Sequence, residues 1–400
     1  MIVTVARIRP GVPSTLNAFC TTDYPKRSSP RLWGFPNYQK NMLRASFYKE
    51  TLDSSRIDIT TSQSSLPSTS NDSSSGYSNF FFDERERKVD PKDDFTIISI
   101  YHVTIDDRCS RLFVVDTGVL HYSLTTTYVV QDPAIIVFDL PSNACTNRNY
   151  RVLRRIVIPS HLYKTAAGWV YITLDYQPKG SCNDLFLYIT NLFDSSLIVY
   201  DYKRGEFSPI VFADPSMKPI MAESLLDFSE EYKWQIPIGI INVVLGWLDR
   251  SGNRNAYYAP GASFGEYAVS TKVLKDFTKP YDSKTFRFLG YRGCNSQTYT
   301  QAIDRSKGVI YFLEYNSKSI KCWNICRRLT PDNIGVIFDS KELDFLSSIF
   351  LDEDGYLWFH SSHLPFMFLS SDPLNISDVN SKTFRVKSSE VIQDTICDSD

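Results

Sequence analysis

Polar side chains that could contact a ligand recur where apolar segments of the chain end. They are Asp116, Thr117, Asn191, Asn295, Gln297, Asn324, Ser347, Ser348, Ser361 and His363. Carboxylate, amide, hydroxyl and imidazole groups orient polar ligands through hydrogen bonds, and they also satisfy backbone groups in turns. Each residue therefore has a ligand-binding interpretation and a structural one, and the sequence alone leaves both open.

Known catalytic and metal-binding patterns are missing or incomplete in the sequence. His360 and His363 are three residues apart, a spacing that points their side chains to opposite faces of a strand. Cys322 and Cys326 lack the second close pair of ligands that a zinc site requires. Asp116-Thr-Gly is like the triplet of aspartic proteases, but those enzymes need a second such triplet whose carboxylate shares a proton with the first, and none occurs. The sequence also has no nucleophile elbow and no phosphate loop. We therefore expect no catalytic residue from motifs, no metal and no cofactor.

The elements that must position these side chains are short apolar strands that recur in pairs. The stretch from Arg111 to Leu140 predicts two strands, one ending in Asp-Thr-Gly and the other in Phe-Asp. Aromatic residues mark the same unit at Phe113, Phe186, Tyr257, Tyr311 and Trp358. Each unit has room for one four-stranded sheet, and the segments before Asp94 and after Ser371 together have room for a sixth.

A radial array of such sheets is a β-propeller. The sequence thus predicts an all-β, six-bladed β-propeller of four-stranded antiparallel sheets, with a first blade that is incomplete if no strand precedes the chain. Two stacked sandwiches are the alternative, but they do not require the same strand pair to recur with Asp or Asn after it. Residues 1–50 would form the first blade, 95–390 the other blades and 391–400 a tail. Residues 51–94, rich in Ser and charge, predict a disordered insertion.

Composition supports this architecture and argues against two classes of partner. The 400 residues include 24 Tyr and 26 Phe, which suit half-buried strands, and long amphipathic helical periods are hard to find. The net charge of −2 combines mixed signs, so no electrostatic field favours nucleic acid or an anionic membrane surface. No apolar stretch reaches the length of about 20 residues that spans a bilayer.

Cysteines and glycosylation sequons bear on the cellular compartment. The eight cysteines stand at Cys20, Cys109, Cys145, Cys182, Cys294, Cys322, Cys326 and Cys397. Their even number is compatible with disulfides, whose pairing the spacing does not decide. Asn71 and Asn375 begin glycosylation sequons, which matter only if the chain is exported. The apolar start of the chain is cut short by Arg7 and does not have the form of a signal peptide.

Ordered blocks of the sequence resemble the yellow and major royal jelly protein family of insects. Residues 98–118 are similar to the family's long strand block that contains a Cys and ends in Asp-Thr-Gly. Residues 3–16, 133–140, 262–276 and 292–297 are similar to further family blocks, and the resemblance extends from residue 2 to about 386. The chain opens directly on the first block, so we expect either a truncated gene model or a lost export signal.

The resemblance implies a secreted six-bladed propeller with an axial channel. In salivary relatives such a channel binds biogenic amines, and some family members convert dopachrome. A protonated amine needs an acidic or carbonyl partner, an aromatic wall and hydroxyl or amide groups. The resemblance therefore suggests a ligand site for a small aromatic amine or catechol, to which we assign Asp116, Thr117, Asn295, Gln297, Ser347, Ser361 and His363.

Two functional hypotheses follow from this resemblance. The first is a secreted, non-enzymatic protein of cuticle, eggshell or pigmentation that binds a small aromatic or biogenic amine. The second is a dopachrome-converting isomerase of melanin synthesis, for which His363, Asp116 or Glu266 would supply the acid or base. A third hypothesis is a diverged or truncated chain whose blades no longer close into a propeller.

Overall fold

The structure is a computed structural model of the chain. It describes residues 2–4, 15–18, 33–35, 41, 96–121, 127–140, 150–340, 343–370, 375 and 377–398. The chain divides into two compact units, one formed by Met1–Ser99 with Gly118–Gln131 and the other by Ile100–Thr117 with Asp132–Asp400. The predicted insertion at 51–94 and the sequon at Asn71 lie outside the described residues.

The smaller unit contains short strands only, numbered here with all others in chain order. One sheet consists of β1 (Ile2–Thr4), β2 (Leu16–Ala18) and β3 (Trp33–Gly34). A hairpin consists of β6 (Val119–His121) and β7 (Thr127–Val129). The Asn41 side chain joins the ends of this sheet, because it accepts from Leu16 N at 3.1 Å and donates to Phe35 O at 2.6 Å.

In its described residues, the larger unit contains five antiparallel meander sheets of three or four strands. The first of them omits β6 and β7, which belong to the smaller unit. The first has β4 (Ile100–Asp106), β5 (Arg111–Asp116), β8 (Ala134–Asp139) and β9 (Val152–Val157). The second has β10 (Trp169–Tyr176), β11 (Leu185–Asn191), β12 (Ser196–Asp201) and β13 (Glu206–Phe207). The third has β16 (Val244–Leu248), β17 (Arg254–Tyr258), β18 (Gly265–Ser270) and β19 (Arg287–Tyr291). The fourth has β20 (Thr298–Asp304), β21 (Val309–Glu314), β22 (Ser319–Asn324) and β23 (Ile334–Asp339). The fifth has β24 (Phe345–Leu351), β25 (Tyr356–Ser362) and β26 (Ser381–Lys387).

Connections between the sheets carry the remaining elements. A separate hairpin of β14 (Leu225–Asp227) and β15 (Lys233–Gln235) lies between the second and third sheets in sequence. The α-helices are α1 (Thr271–Leu274), α2 (Leu364–Leu369) and α3 (Ser388–Val391). Single 3₁₀ turns occur at Asp107–Cys109, Ser160–Leu162, Ala166–Gly168, Pro215–Met217, Met221–Glu223, Ser283–Thr285 and Pro331–Asn333. No helix in the described part of the chain has the length and apolar character needed to cross a membrane.

The predicted propeller of small antiparallel sheets is confirmed, with a different count of blades. Each of the five aromatic markers lies in a sheet of its own, as the repeat predicted, and stands on the second strand of that sheet. The described residues form five blades rather than six. The segment after Ser371 does not contribute to another blade, because β26 pairs with β25 along seven residues and completes the fifth blade.

The first strand of each blade is its inner strand, and these strands follow one another around the unit. β4 contacts β10, β16 contacts β20 and β20 contacts β24. Threonine hydroxyls join further neighbours: Thr104 Oγ1 donates to Ile172 O at 2.5 Å, and Thr173 Oγ1 donates to Val243 O at 2.7 Å. Such bonds satisfy backbone carbonyls that no strand of the same blade reaches.

The core lies between blades, because the two faces of a strand point to different neighbours. On β11, Leu187 packs toward Phe113 of the first blade, whereas Tyr188 packs toward Tyr258 of the third. Both faces are therefore buried, which explains why the second strands are apolar throughout rather than alternating. Full burial of each large apolar side chain stabilises the fold by about 1.5–3 kcal/mol.

Two disulfides in the described part of the chain join segments that are distant in sequence. Cys109, in the turn after β4, pairs with Cys182, in the turn after β10, and so connects the first two blades. Cys322 on β22 pairs with Cys397 near the C-terminus rather than standing as a ligand pair with Cys326. Cys294 and Cys326 are free and exposed, while Cys20 and Cys145 lie outside the described residues.

Candidate functional site

Every inner strand carries an irregularity in its pairing with the second strand. The register shifts between Ile100 and Val103, Trp169 and Tyr171, Leu245 and Leu248, Thr298 and Gln301, and Leu346 and Ser348. In four of the five blades the shift lies close to the start of the inner strand. A β-bulge turns side chains away from the regular alternation and is common next to binding sites.

Aromatic side chains gather at these starts. Tyr101, Tyr171 and Tyr299 stand at or beside the bulges of three blades, and Phe345 begins the inner strand of a fourth. Tyr101, Tyr171 and Tyr299 pack around the buried Val170, Leu192 and Ile241. Tyr299 also packs with Phe345 at 5.0 Å between ring centroids. We call these four rings the aromatic end of the inner strands.

The surroundings of the aromatic end disfavour charge of either sign. His102 stacks on Tyr171 with 4.0 Å between ring centroids, and burial lowers its pKa to about 3. Burial raises the pKa of Tyr171 to about 12, against a hydrogen bond with the Asn242 side chain, and that of Tyr299 to about 12. All of these side chains nevertheless keep part of their surface accessible. Partial access combined with strong desolvation is typical of side chains that line an internal space.

The hairpin β14–β15 packs against the aromatic end. Leu226, Phe228 and Trp234 of the hairpin share an apolar cluster with Tyr299 and Phe345. Two side-chain amides hold the hairpin in position. Asn316 accepts from Asp227 N at 3.0 Å and donates to Leu225 O at 2.7 Å, while Gln297 Nε2 donates to Glu223 O at 2.9 Å.

A histidine–carboxylate pair stands at the border of this cluster. His363 Nε2 lies 3.1 Å from Asp344 Oδ2, and each side chain is less than one third exposed. His363 Nδ1 lies 3.1 Å from Asn380 Oδ1, and its ring meets Phe228 of the hairpin edge-on at 6.1 Å. Because Asp344 directly precedes Phe345, this pair is the titratable group nearest in sequence to that ring.

Four of the residues predicted from sequence lie beside the aromatic end. Gln297 is buried two residues before Tyr299, and Ser347 is half-buried in the bulge of β24. Ser361 Oγ accepts from Asp344 N at 2.8 Å and so helps to position Asp344. The carboxylate of Asp344 in turn lies beside His363, the fourth of these residues.

The other predicted residues occupy different surroundings. Asp116 and Thr117 are fully buried at the end of β5. Asn295 is exposed in a turn, where its φ of 57° is one that Asn tolerates better than most residues. Asn375 is exposed, as its sequon requires.

Asn191 and Asn324 fit the structural interpretation of strand-end residues. The Asn191 side chain donates to Thr165 O at 2.8 Å and accepts from Asp194 N at 3.0 Å. The Asn324 side chain accepts from Cys326 N at 3.0 Å. Both amides therefore satisfy backbone groups in turns.

Glu266 belongs to a buried ion pair away from solvent. Its Oε2 lies 2.8 Å from Arg292 Nη1, and neither side chain is exposed. Burial raises the pKa of Glu266 to about 7, against the attraction of Arg292. Arg292 also donates to Ser263 O and Ser296 O, so the pair fastens the third blade to the start of the fourth.

Sequence reasoning missed the aromatic end because it searched for polar residues after strands. The rings stand instead at the starts of strands: three inner strands begin with Ile-Tyr-His, Trp-Val-Tyr and Thr-Tyr-Thr. Bulges cannot be seen in a pattern of alternation, so the inward direction of these rings required the structure.

Comparison with known proteins identifies the family. Residues 98–397 match the family described as major royal jelly protein. A yellow-related salivary protein of Phlebotomus duboscqi is 31% identical over 323 residues, covering 78% of each chain. Another of Phlebotomus perniciosus is 38% identical over 271 residues, covering 67% of this chain and 66% of the relative. The L-dopachrome tautomerase yellow-f of Drosophila melanogaster is 26% identical over 402 residues, covering 100% of this chain and 79% of the relative. The chain therefore belongs to the major royal jelly protein family, as the sequence blocks predicted.

Proposed function

We propose that the protein is a secreted, non-enzymatic binding protein that holds a small aromatic molecule, such as a biogenic amine or catechol, at the aromatic end. The observation that carries the proposal is the group of four rings, contributed by four different blades, of which Tyr101, Tyr171 and Tyr299 remain partly accessible while Phe345 is buried. A flat aromatic ligand would stack on these rings and exchange contact with water for contact with protein.

Polar groups beside the rings suit the rest of such a ligand. Gln297 Oε1 is buried and has no hydrogen-bond partner among the described residues, so it can accept from a ligand N–H or O–H. The carboxylate of Asp344 would attract an ammonium group that stays near the border of the cluster. An amine buried deeper among the rings would meet the same desolvation that keeps His102 neutral.

An extracellular setting agrees with the cysteine chemistry. Two disulfides are present, and such bonds form and persist in oxidising compartments. The relatives named salivary point in the same direction. Cuticle, eggshell and pigmentation remain the proposed contexts.

Calorimetric titration with dopamine and serotonin tests the proposal. We expect saturable heat at submillimolar concentrations, and much less heat from a small aliphatic amine that lacks a ring. Tyr299→Ala should weaken binding of both aromatic amines, whereas Tyr291→Ala, an exposed tyrosine on β19, should not. Absence of heat from every aromatic ligand would contradict the proposal.

A dopachrome-converting enzyme is the second candidate. It is favoured by the alignment with the L-dopachrome tautomerase over the whole chain and by the His363–Asp344 pair, which can carry a proton at the border of the cluster. Asp116 and Glu266 are fully buried and therefore poorly suited to this role. Loss of dopachrome absorbance, compared between the wild type, His363→Gln and heat-inactivated protein, decides it. Equal rates in all three would exclude catalysis.

A further inference from the structure

His363 stands between two hydrogen-bond acceptors, one at each ring nitrogen. Its Nε2 lies 3.1 Å from Asp344 Oδ2, and its Nδ1 lies 3.1 Å from Asn380 Oδ1. An ionised carboxylate accepts hydrogen bonds and has no hydrogen to donate. A favourable contact at Nε2 therefore requires a hydrogen on that nitrogen.

The amide of Asn380 is oriented by the turn that carries it. Its Nδ2 donates to Asn375 O at 2.8 Å and to Asp378 O at 3.0 Å, so Oδ1 is the atom left to face the imidazole. The backbone adds a further connection, because His363 N donates to Asn380 O at 3.1 Å. The Nδ1 atom of His363 must therefore carry a hydrogen as well.

Both ring nitrogens of a histidine carry hydrogen only in the charged imidazolium. The geometry thus fits an imidazolium at His363 whose counter-charge is the carboxylate of Asp344. A neutral imidazole donates to one of the two acceptors and meets the other with a lone pair. The charge of His363 and the bonds around it are therefore linked.

Asp344 is the charged group that contacts His363 in the described part of the chain. The hairpin β14–β15 meets the imidazole with the uncharged ring of Phe228, and the sequence of α2, which follows His363, contains no titratable residue. The other charged residues on the surrounding elements make no bond to His363; they are Asp227, Glu230, Glu231, Lys233, Asp378 and Lys382.

An ammonium group that approaches Asp344 competes with His363 for the same carboxylate. Two cations beside one carboxylate leave an excess positive charge, which is disfavoured where both side chains are less than one third exposed. The histidine can relieve it by losing a proton, whereas a primary ammonium holds its proton more firmly. Loss of the Nε2 hydrogen keeps the bond from Nδ1 to Asn380 and turns Nε2 into an acceptor.

We propose that Asp344 and His363 form an amine clamp beside the aromatic end, in which a bound primary ammonium displaces the Nε2 proton of His363. The ammonium donates to Asp344 Oδ2 and to His363 Nε2, and the displaced proton passes to solvent, so the net charge of the clamp is unchanged. The inference rests on the ligand class proposed for the aromatic end and adds a rule to it. Affinity for an aromatic amine rises with pH, whereas affinity for a catechol without an amine does not.

Calorimetric titration of dopamine in two buffers of different ionisation enthalpy counts the protons released on binding. At about pH 6 we expect about one proton per bound dopamine, and an affinity that rises by up to about tenfold per pH unit between about pH 6 and 8. 4-Methylcatechol has the same ring without the amine and is the matched ligand. It should bind without proton release and with an affinity that does not depend on pH over this range.

Variants assign the released proton to one residue. His363→Gln has no proton to release, so dopamine should bind to it without proton release. His161→Gln, at an exposed position, is the matched control and should release as many protons as the wild type. Thermal unfolding of each variant checks that it is folded. If His363→Gln does not fold, Asp344→Asn replaces it and should weaken dopamine binding more than 4-methylcatechol binding.

Failure of the clamp is distinguishable from failure of the binding function. Dopamine binding without proton release, or equal release with dopamine and 4-methylcatechol, would overturn the clamp and leave the aromatic end as a binding site. Absence of heat from both ligands would contradict the proposed function, and the clamp with it.

Discussion

The two ends of the inner strands carry different kinds of side chain on the same type of backbone. At the aromatic end, bulged strands bring together rings whose surroundings disfavour charge, and side-chain amides, two serine hydroxyls, His102 and one histidine–carboxylate pair add polarity. At the opposite end, the charged end, carboxylates repeat in every described blade at Asp106, Asp175, Asp249, Asp304 and Asp352. There the Asp175–Arg254 ion pair and the Cys109–Cys182 disulfide join neighbouring blades. We therefore expect substitutions at the charged end to affect mainly stability, and we propose the aromatic end as the place of ligand contact.

The largest expected effect is at the charged end, in Asp175→Asn. This change leaves Arg254 and Lys275 nearly buried without their counter-charge, so we expect the free energy of unfolding to fall by about 3–5 kcal/mol. Urea unfolding followed by tryptophan fluorescence measures it. Asp227→Asn, in an exposed pair with Lys233, should cost less than about 1 kcal/mol. Equal effects of the two changes would contradict the assignment.

Removal of the disulfide at the charged end should be nearly as damaging. Replacing both Cys109 and Cys182 by Ser releases a loop of 73 residues and should cost about 2–5 kcal/mol. Unfolding under non-reducing conditions provides the measurement. Cys294→Ser, which changes a free exposed cysteine, is the control and should leave the unfolding midpoint unchanged. A double variant as stable as the wild type would show that the bond does not secure these blades.

At the aromatic end, substitution should affect binding more than stability. Tyr299→Ala removes a ring that contacts two apolar clusters, and we expect dopamine affinity to fall about tenfold. The loss of stability should stay below about 3 kcal/mol, because the ring is only partly buried. Calorimetry and urea unfolding of one sample separate the two quantities. Lost stability with unchanged affinity would mean that Tyr299 is a core residue only.

Just below pH 6.5, where it begins, the smallest effect should be a pH dependence from His102. Its folded-state pKa of about 3 lies below that of an unfolded histidine, so the unfolded chain binds more protons between about pH 6.5 and 3. Stability should therefore fall as the pH falls through this window, by at most about 1.4 kcal/mol per pH unit from this group. His102→Asn should flatten the dependence, whereas His161→Asn, at an exposed position, should not. Identical pH profiles in all three proteins would contradict the prediction.

Much of the fold was predictable because the second strands are buried on both faces. Their continuous apolar runs, each with an aromatic residue, gave the correct position of all five blades. The number of blades was wrong because β26 pairs with β25 across a helix and a long connection, and pairing over such a distance leaves no local signal. The carboxylates at the charged end were also visible, but they were not recognised as a repeat of their own.

The candidate site was only partly predictable. Gln297, Ser347, Ser361 and His363 lie beside the aromatic end, and their assignment as ligand contacts remains a prediction. The rings themselves were not predicted, because a bulge sets the direction of Tyr101 and Tyr299 and a pattern of alternation does not reveal a bulge. A polar side chain at the end of a strand can bind a ligand or, as Asn191 does, form hydrogen bonds with backbone groups of a turn. The residue type alone does not distinguish these two roles.

Calorimetric titration of dopamine into the wild type, Tyr299→Ala and Arg305→Gln tests the division between the two ends most directly. Arg305 is an exposed residue that directly follows Asp304 at the charged end. The account predicts submillimolar binding to the wild type, a marked loss in Tyr299→Ala and unchanged affinity in Arg305→Gln. No heat from the wild type, or a loss confined to Arg305→Gln, would contradict it.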